Sequence, residues 1–213
     1  LEYRGYDSVG ITTLNNNHYQ IKKDIPKKDE VHKKVNFLTL QGNLGVAHTR
    51  WSTHGGVTQI IAHPHLSQDK KIAVVHNGIV ENYQELKEFL KKEGFEFKSQ
   101  TDTEVFPQYI SYLMKQGKNF KDAVHETLLR VEGSYAIVAV DVSGVIIVAR
   151  NGSPLVLGIW KDEIFAASDV PAFLEHTNKV VYLDDEEYAV LDLGNVVDSG
   201  SNYEVYSVKT NKK

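Results

Sequence analysis

Residues 135–167 decide the fold class, and they read YAIVAVDVSGVIIVARNGSPLVLGIWKDEIFAA. Runs rich in valine, isoleucine and alanine alternate here with short connections that contain Gly, Ser, Asn, Pro or Asp. These residues favour tight turns, and tight turns join strands in antiparallel succession. The stretch therefore predicts four successive strands, over residues 135–141, 145–150, 155–160 and 163–167.

Further strands are predicted on both sides of this stretch. Alternating or continuous apolar runs bounded by turn residues predict them over residues 9–14, 19–21, 44–48, 71–76, 95–97, 180–183 and 188–193. Asn15-Asn16-Asn17 indicates a hairpin turn between the first two, and Asn77-Gly78 indicates the end of the strand over 71–76.

Helices are predicted where apolar residues recur at helical spacing. Thr101-Asp102-Thr103-Glu104 has the Ser/Thr-x-x-Glu spacing of a capping box, so a helix is expected to start there. The other helices are expected over residues 27–40, 82–92 and 120–131, with a short one near Pro171.

Together, these elements predict an α+β fold, in which largely antiparallel sheets form a layered sandwich with helices on its outer faces. No internal repeat interrupts the chain, so one domain is expected over residues 1–199. Residues 200–213 are polar and are interpreted as a C-terminal tail or linker.

Composition excludes several classes of function. The 213 residues carry a net charge of −4, with no basic field for nucleic acid. No apolar run reaches the roughly 18 residues of a membrane span, and no signal peptide is evident, so a cytoplasmic protein is expected. There is no cysteine, which excludes disulfides and any cysteine nucleophile within these residues. The chain starts at Leu1 and its one methionine is Met114, so we expect it to be a piece of a longer protein.

A candidate binding loop follows the apolar segment 44–47. It runs His48-Thr49-Arg50-Trp51-Ser52-Thr53-His54-Gly55-Gly56. Arg50 supplies a planar, two-pronged donor suited to a carboxylate, and Thr53 and His54 can add hydrogen bonds. The alternative is an ordinary surface loop with a half-buried Trp51 and a structural arginine.

Five motifs, taken in their order and spacing, resemble one family. They are Arg4-Gly5-Tyr6-Asp7-Ser8, His48–Gly55, Ala62-His63-Pro64-His65, His76-Asn77-Gly78-Ile79 and Thr101-Asp102-Thr103-Glu104. This series is similar to the glutaminase domain of the glutamine–fructose-6-phosphate aminotransferases, also called glucosamine-6-phosphate synthases. These enzymes are class II amidotransferases. The resemblance implies a four-layer αββα sandwich of the N-terminal-nucleophile hydrolase type.

The resemblance also implies a glutamine site. Arg50, helped by Thr53 and His54, would hold the substrate α-carboxylate, and Asp102 would hold the α-ammonium. Asn77 and Gly78 would form the oxyanion hole. From the residues alone, Asp102 could equally be a helix N-terminal acid, and His-Asn-Gly is a common turn.

Three further residues receive weaker assignments. The resemblance implies that Trp51 closes over bound glutamine and that Arg4 lies near the nucleophile, although a structural salt bridge fits Arg4 nearly as well. His63 is a possible substrate contact. His63 and His65 could suggest a metal pair, but no carboxylate follows at a recognised spacing, so no metal or cofactor is expected.

In this family, the chemistry comes from an N-terminal cysteine whose thiolate attacks the glutamine amide. This chain departs from that pattern, because it contains no cysteine and starts roughly twenty residues after the expected nucleophile. We therefore expect a glutamine pocket that does not itself hydrolyse glutamine. The complete enzyme would add sugar isomerase domains that bind fructose 6-phosphate and would be a homo-oligomer.

Two other functions remain open from the sequence. One is a non-catalytic amino-acid-binding or regulatory module, for which the missing cysteine would be genuine. The other is a metal-dependent hydrolase, whose ligands would come from the set His48, His54, His63, His65 and Asp102.

Overall fold

A computed structural model describes residues 5, 7–25, 28–50, 58–161, 163–191 and 203–213. Its strands are β1 (Ser8–Asn15), β2 (His18–Asp24), β3 (Leu44–Arg50), β4 (His65–Leu66), β5 (Ile72–Val80), β6 (Gly133–Asp141), β7 (Ile146–Asn151), β8 (Val156–Trp160), β9 (Glu163–Ala167), β10 (Val180–Tyr182), β11 (Glu187–Leu191) and β12 (Tyr203–Ser207). The α-helices are α1 (Lys28–Val35), α2 (Tyr83–Lys92), α3 (Val105–Lys115) and α4 (Phe120–Arg130).

The strands form three antiparallel sheets. The largest has six strands in the order β12-β11-β7-β6-β5-β4, and the two others have the orders β2-β1-β3 and β10-β8-β9. The predicted N-terminal hairpin is confirmed, with Asn16 and Asn17 at positive φ in its turn. The predicted succession over residues 135–167 is also confirmed, although the chain passes from one sheet to another between β7 and β8.

Both faces of the six-stranded sheet are covered, which explains why β5 begins with the continuous apolar run Ile72-Ala73-Val74-Val75. On one face, Val74 belongs to a core that includes Phe106 of α3 and Leu128 of α4. On the other face, Val75 packs with Leu44 and Val46 of β3.

The β8-containing sheet also packs on this second face, through Leu155, Leu157 and Leu183 against Val148 and Ala189. Helix α1 packs against β1 and β2. The order of layers is therefore the helices that include α3 and α4, the six-stranded sheet, the two smaller sheets, and α1. The predicted αββα sandwich is confirmed.

Five local predictions need correction. The helix expected over 27–40 ends at Val35, because Asn36 adopts a left-handed conformation and a 3₁₀ turn follows over Phe37–Thr39. Residues 95–97 form no strand; instead, Phe95 and Phe97 pack their rings onto the helical layer. The short helix near Pro171 is a 3₁₀ turn.

The capping box is the fourth error. The Thr101 side chain makes no bond to the start of the helix, and α3 begins only at Val105, after a 3₁₀ turn over Asp102–Glu104. The Glu104 carboxylate instead accepts hydrogen bonds from the N–H groups of Lys98 and Ser99 and from the Ser99 hydroxyl. Satisfying this buried carboxylate outweighs the local capping pattern.

The fifth error concerns the end of β5. Asn77-Gly78 does not terminate the strand, which continues to Val80 and stays paired with β6, so that Asn77 lies opposite Ala136 and Gly78 opposite Tyr135. The interpretation of these two residues as a simple turn is therefore wrong.

Residues 203–213, expected to form a polar tail, contribute the edge strand β12 and bury Val208. The Tyr188 hydroxyl donates to Asn211 Oδ1 over 2.5 Å. These residues thus belong to the sheet, and their role as a connection to further domains stays a prediction. No helix in the described part of the chain combines the length and the apolar character that a membrane crossing requires.

Candidate functional site

Arg50 ends β3, where the Asp7 N–H donates to its carbonyl over 3.0 Å. Its Nη1 atom is buried and has no hydrogen-bond partner within the described residues. Burial lowers the pKa of Arg50 from its ordinary value, and the charges of Asp102 and Asp7 oppose that shift. The guanidinium therefore offers a free donor in a place where an unpaired N–H is costly.

Asp102, whose charge acts on Arg50, lies in the 3₁₀ turn that precedes α3. Two backbone N–H groups fix its carboxylate: Val80 donates to Oδ2 over 2.8 Å and Thr103 donates to Oδ1 over 2.8 Å. The Thr103 hydroxyl also donates to Oδ1, over 3.5 Å, whereas Oδ2 keeps a further lone pair as an acceptor. Asp102 is thus both an acid near a helix start and an oriented acceptor whose charge acts on Arg50.

Asn77 and Gly78 lie on the exposed part of β5. Asn77 lines a cavity of about 560 Å³ that opens between the two layers of sheet. Arg50 and Asp102 are not among the described residues that line this cavity. The structure links the two regions through His76, the neighbour of Asn77, whose Nδ1 lies 2.9 Å from Thr103 Oγ1.

Four histidines surround this region: His63, His65 and His76 are buried, and His48 is half-buried. The ring of His63 lies 4.4 Å from the ring of His48 and 5.0 Å from the ring of His65. Burial lowers the pKa of His48 and of His65 to about 3 and that of His63 well below its ordinary value. The cluster is therefore neutral at physiological pH, so it does not compete with Arg50 for an anion.

Hydroxyl groups tie the histidines to the turn that carries Asp102. Thr101 Oγ1 lies 3.2 Å from Nε2 of His65 and 2.8 Å from the hydroxyl of Ser99, which donates to Glu104. Sequence reasoning missed this network. The sequence feature that could have indicated it is the pair of threonines on either side of Asp102. The capping-box pattern had attributed this segment to the start of a helix instead.

Several predicted site residues cannot be placed. Arg4, Trp51, Thr53 and His54 lie outside the described residues, so their assignments stay predictions. Within the described ranges, no group of three or more His, Asp or Glu side chains has the arrangement of a metal site. The geometry of these ranges therefore adds no support to the metal-dependent hydrolase.

Replacing His63 with phenylalanine is expected to make the protein less sensitive to acid. The unfolded histidine binds a proton below its ordinary pKa of 6.5, whereas the folded one stays neutral, so stability is lost as pH falls below 6.5. The variant should remove about 1 kcal/mol of the stability change between pH 6.5 and 5.5. Urea unfolding at pH 6.5 and 5.5 measures it. Parallel pH curves for the two proteins would show that His63 is not a buried neutral group.

Comparisons with known proteins identify the family of this chain. The sequence signature of the glutamine amidotransferase domain matches residues 36–175. The chain belongs to the glutamine amidotransferase domain family.

The glutamine–fructose-6-phosphate aminotransferase [isomerizing] of Thermococcus kodakarensis is 51% identical over 193 residues, which cover 90% of this chain and 32% of that enzyme. The enzyme of the same name from Clostridium acetobutylicum is 45% identical over 193 residues, covering 90% of this chain and 31% of the relative. This amidotransferase domain thus spans about a third of the length of these curated relatives.

Solved structures agree on the fold. A glutamine phosphoribosylpyrophosphate amidotransferase from B. subtilis, complexed with ADP and GMP, superposes with a TM-score of 0.78 and 23% identity. The superposition covers 99% of this chain and 45% of the B. subtilis chain. A structure described as the allosteric regulatory enzyme of purine biosynthesis gives a TM-score of 0.81 at 24% identity, covering 100% of this chain and 45% of the other. The predicted N-terminal-nucleophile hydrolase fold of the amidotransferase domain is confirmed.

Proposed function

We propose that this chain binds L-glutamine and L-glutamate as the glutaminase domain of a glutamine–fructose-6-phosphate aminotransferase. The observation that carries the proposal is the buried Nη1 atom of Arg50, which lacks a partner within the described residues and lies within the field of Asp102. A carboxylate would satisfy that donor with a charge-assisted hydrogen bond. The carboxylate of Asp102 would accept a hydrogen bond from the ammonium group of the same ligand.

This pair of opposed charges would select a free amino acid. A glutamine residue inside a peptide has neither a free α-carboxylate nor a free α-ammonium, so it would leave Arg50 and Asp102 unpaired. The specificity of the site would thus come from the backbone end of the ligand. The side-chain amide is left to reach toward Asn77.

For the reacting end, we propose that the Asn77 side-chain amide and the Gly78 N–H donate to the oxygen that becomes negative during attack on the amide. Trp51, Thr53 and His54 would complete the ligand contacts, and Arg4 would lie near the nucleophile. His63 would contribute indirectly, because its neutral ring packs against that of His48, which lies two residues before Arg50.

The nucleophile of this family is a cysteine, and these 213 residues contain none. We therefore propose that the chain as given binds glutamine without hydrolysing it through a cysteine. In a complete enzyme, the domain would release ammonia for transfer to fructose 6-phosphate, which sugar isomerase domains would bind. Oligomerisation of that enzyme also stays a proposal.

Replacing Asp102 with asparagine tests the ammonium contact. Asparagine keeps the size of the side chain but loses the charge that attracts an ammonium, so L-glutamate should bind about tenfold more weakly. Glutarate has two carboxylates and no α-ammonium, and its affinity should change little or improve. Calorimetric titration of both ligands measures the difference. An equal loss for glutarate and glutamate would show that Asp102 supports the pocket without contacting the ammonium.

A further inference from the structure

One half-buried cation lies close to the site without belonging to it. Lys23 is in β2, and its ammonium donates to the carbonyl of Ala62 over 2.5 Å and to the carbonyl of Pro64 over 3.0 Å. The Gln59 side-chain amide donates to the Lys23 carbonyl over 2.8 Å. Three hydrogen bonds thus join Lys23 to residues 59–64, and two of their acceptors flank His63.

The backbone of His63 is pressed against the same part of the sheet. Gly10 of β1 lies opposite Lys23, and a Cβ atom on Gly10 would lie 2.0 Å from the His63 carbonyl oxygen. The absence of a side chain at Gly10 therefore lets the His63 segment lie directly on β1. The backbone of His63 rests on Gly10, while Lys23 holds the carbonyl groups on either side of it.

The ring of His63 has no hydrogen bond of its own to fix it within the described residues, because neither of its nitrogens has a partner. Its position beside His48 therefore depends on the backbone that carries it. His48 is two residues before Arg50 in β3, and the charge of Arg50 acts on both rings. Any movement of the segment would therefore move the His63 ring relative to His48 and to the charge of Arg50.

We infer that Lys23 is a positioning residue for the carboxylate-binding site, because its ammonium fixes the segment that places His63 beside His48 and Arg50. This inference rests on the proposed function of Arg50. Lys23 does not touch the ligand in this arrangement. It acts through His63, and its effect on binding follows from the geometry of the segment.

The ionisation of Lys23 gives a way to observe this link. Burial lowers the pKa of Lys23, the charge of Glu104 opposes this shift and the charge of Lys98 adds to it, so that the pKa is about 8. His65 also faces the ammonium and remains neutral at this pH. A neutral amine donates weaker hydrogen bonds than an ammonium. Loss of the proton should therefore loosen the segment above about pH 8.

The first experiment follows the His63 ring by ¹⁵N nuclear magnetic resonance from pH 6.5 to 9.5 without ligand, with the signal assigned by its loss in His63→Phe. His63 itself does not titrate in this range, so its resonances should move with a midpoint of about 8 that reports Lys23. The movement should be absent in Lys23→Arg, which stays charged. Resonances that stay constant in the wild-type protein would overturn the inference whether or not glutamate binds.

The second experiment titrates L-glutamate into Lys23→Met, Lys23→Arg and Lys22→Met at pH 7. Lys22 is the matched control, because its ammonium also binds backbone carbonyls, those of Val35 and Asn36 at the end of α1. The dissociation constant should rise about tenfold in Lys23→Met. It should recover in Lys23→Arg and stay unchanged in Lys22→Met, even if Lys22→Met lowers the melting temperature.

The outcomes separate the two proposals. Wild-type protein that binds no glutamate would overturn the proposed function and the assigned effect of Lys23 on binding. Wild-type binding with an unchanged Lys23→Met would overturn the inference alone. An equal loss of affinity in Lys22→Met and Lys23→Met would also overturn it, because general destabilisation would then explain the effect.

Discussion

Gly78→Ala is expected to prevent folding or to cost more than about 4 kcal/mol of stability. Gly78 has a φ of +138°, which residues with a side chain rarely adopt. A Cβ atom added at this position would lie 2.1 Å from the Ser134 carbonyl oxygen. That oxygen belongs to the backbone of β6, which is paired along the whole of β5. It cannot move away without breaking the centre of the sheet. Urea unfolding followed by circular dichroism measures the loss.

Gly144→Ala provides the matched control. Gly144 also has a positive φ, of +94°, but apart from its chain neighbours no atom of the described residues lies within 4 Å of the place that an alanine methyl group would take. Strain without a clash costs about 1–3 kcal/mol. Equal losses in the two variants would show that the close approach of β6 to Gly78 does not restrict this position.

Arg50→Ala is expected to weaken L-glutamate binding by about 30-fold or more, because truncating one partner of a buried, hydrogen-bonded charge pair costs about 2–5 kcal/mol. The variant also leaves Asp102 without the opposing charge that acts across the site. Calorimetric titration at pH 7 gives the dissociation constant. L-glutamate should bind the wild-type chain in preference to D-glutamate, since the two charged contacts fix the chirality of the ligand.

Arg130→Ala is the control for this variant. Its guanidinium forms an exposed ion pair with Glu85 over 2.5 Å, so its loss should change binding by less than about twofold. Arg50→Lys keeps the charge but loses the planar donor, and an intermediate affinity is expected. Unchanged binding by a folded Arg50→Ala would remove Arg50 from the site.

Much of the fold was predictable because the hydrophobic pattern and the turn residues agree. The asparagines at 15–17 allow only a tight turn between two alternating runs, and the hairpin forms around Asn16 and Asn17. The runs at 135–167 give consecutive strands for the same reason. Which sheet each strand joins depends on contacts between distant residues, and no local pattern specified the crossing between β7 and β8.

The local errors occur where tertiary contacts override a short pattern. Asn77-Gly78 looks like a turn, but the glycine conformation is used inside β5, where the Ser134 carbonyl passes too close for a side chain. Thr101 and Glu104 have the spacing of a capping box, yet Glu104 turns to the N–H groups of Lys98 and Ser99. At Gly78 the close approach of a neighbouring strand decides the conformation, and at Glu104 a buried polar contact does.

The candidate site was only partly predictable. Motifs in the sequence named Arg50 and Asp102, and the structure brings their charges within reach of each other. The same reasoning could not identify Lys23, because one lysine in a strand is usually exposed and nothing nearby in sequence marks it as bonded to distant carbonyl groups. Its partners, at Ala62 and Pro64, are about forty residues away along the chain.

Arg50 and Asp102 belong to different layers of the sandwich. Arg50 ends a strand of the small sheet, whereas Asp102 is fastened to Val80 of the six-stranded sheet. An amino acid bound by both residues would link the two sheets, with its carboxylate on one and its ammonium on the other. Binding would then raise the free energy of unfolding of the sandwich. Above the dissociation constant, each tenfold increase in ligand concentration would add about 1.4 kcal/mol.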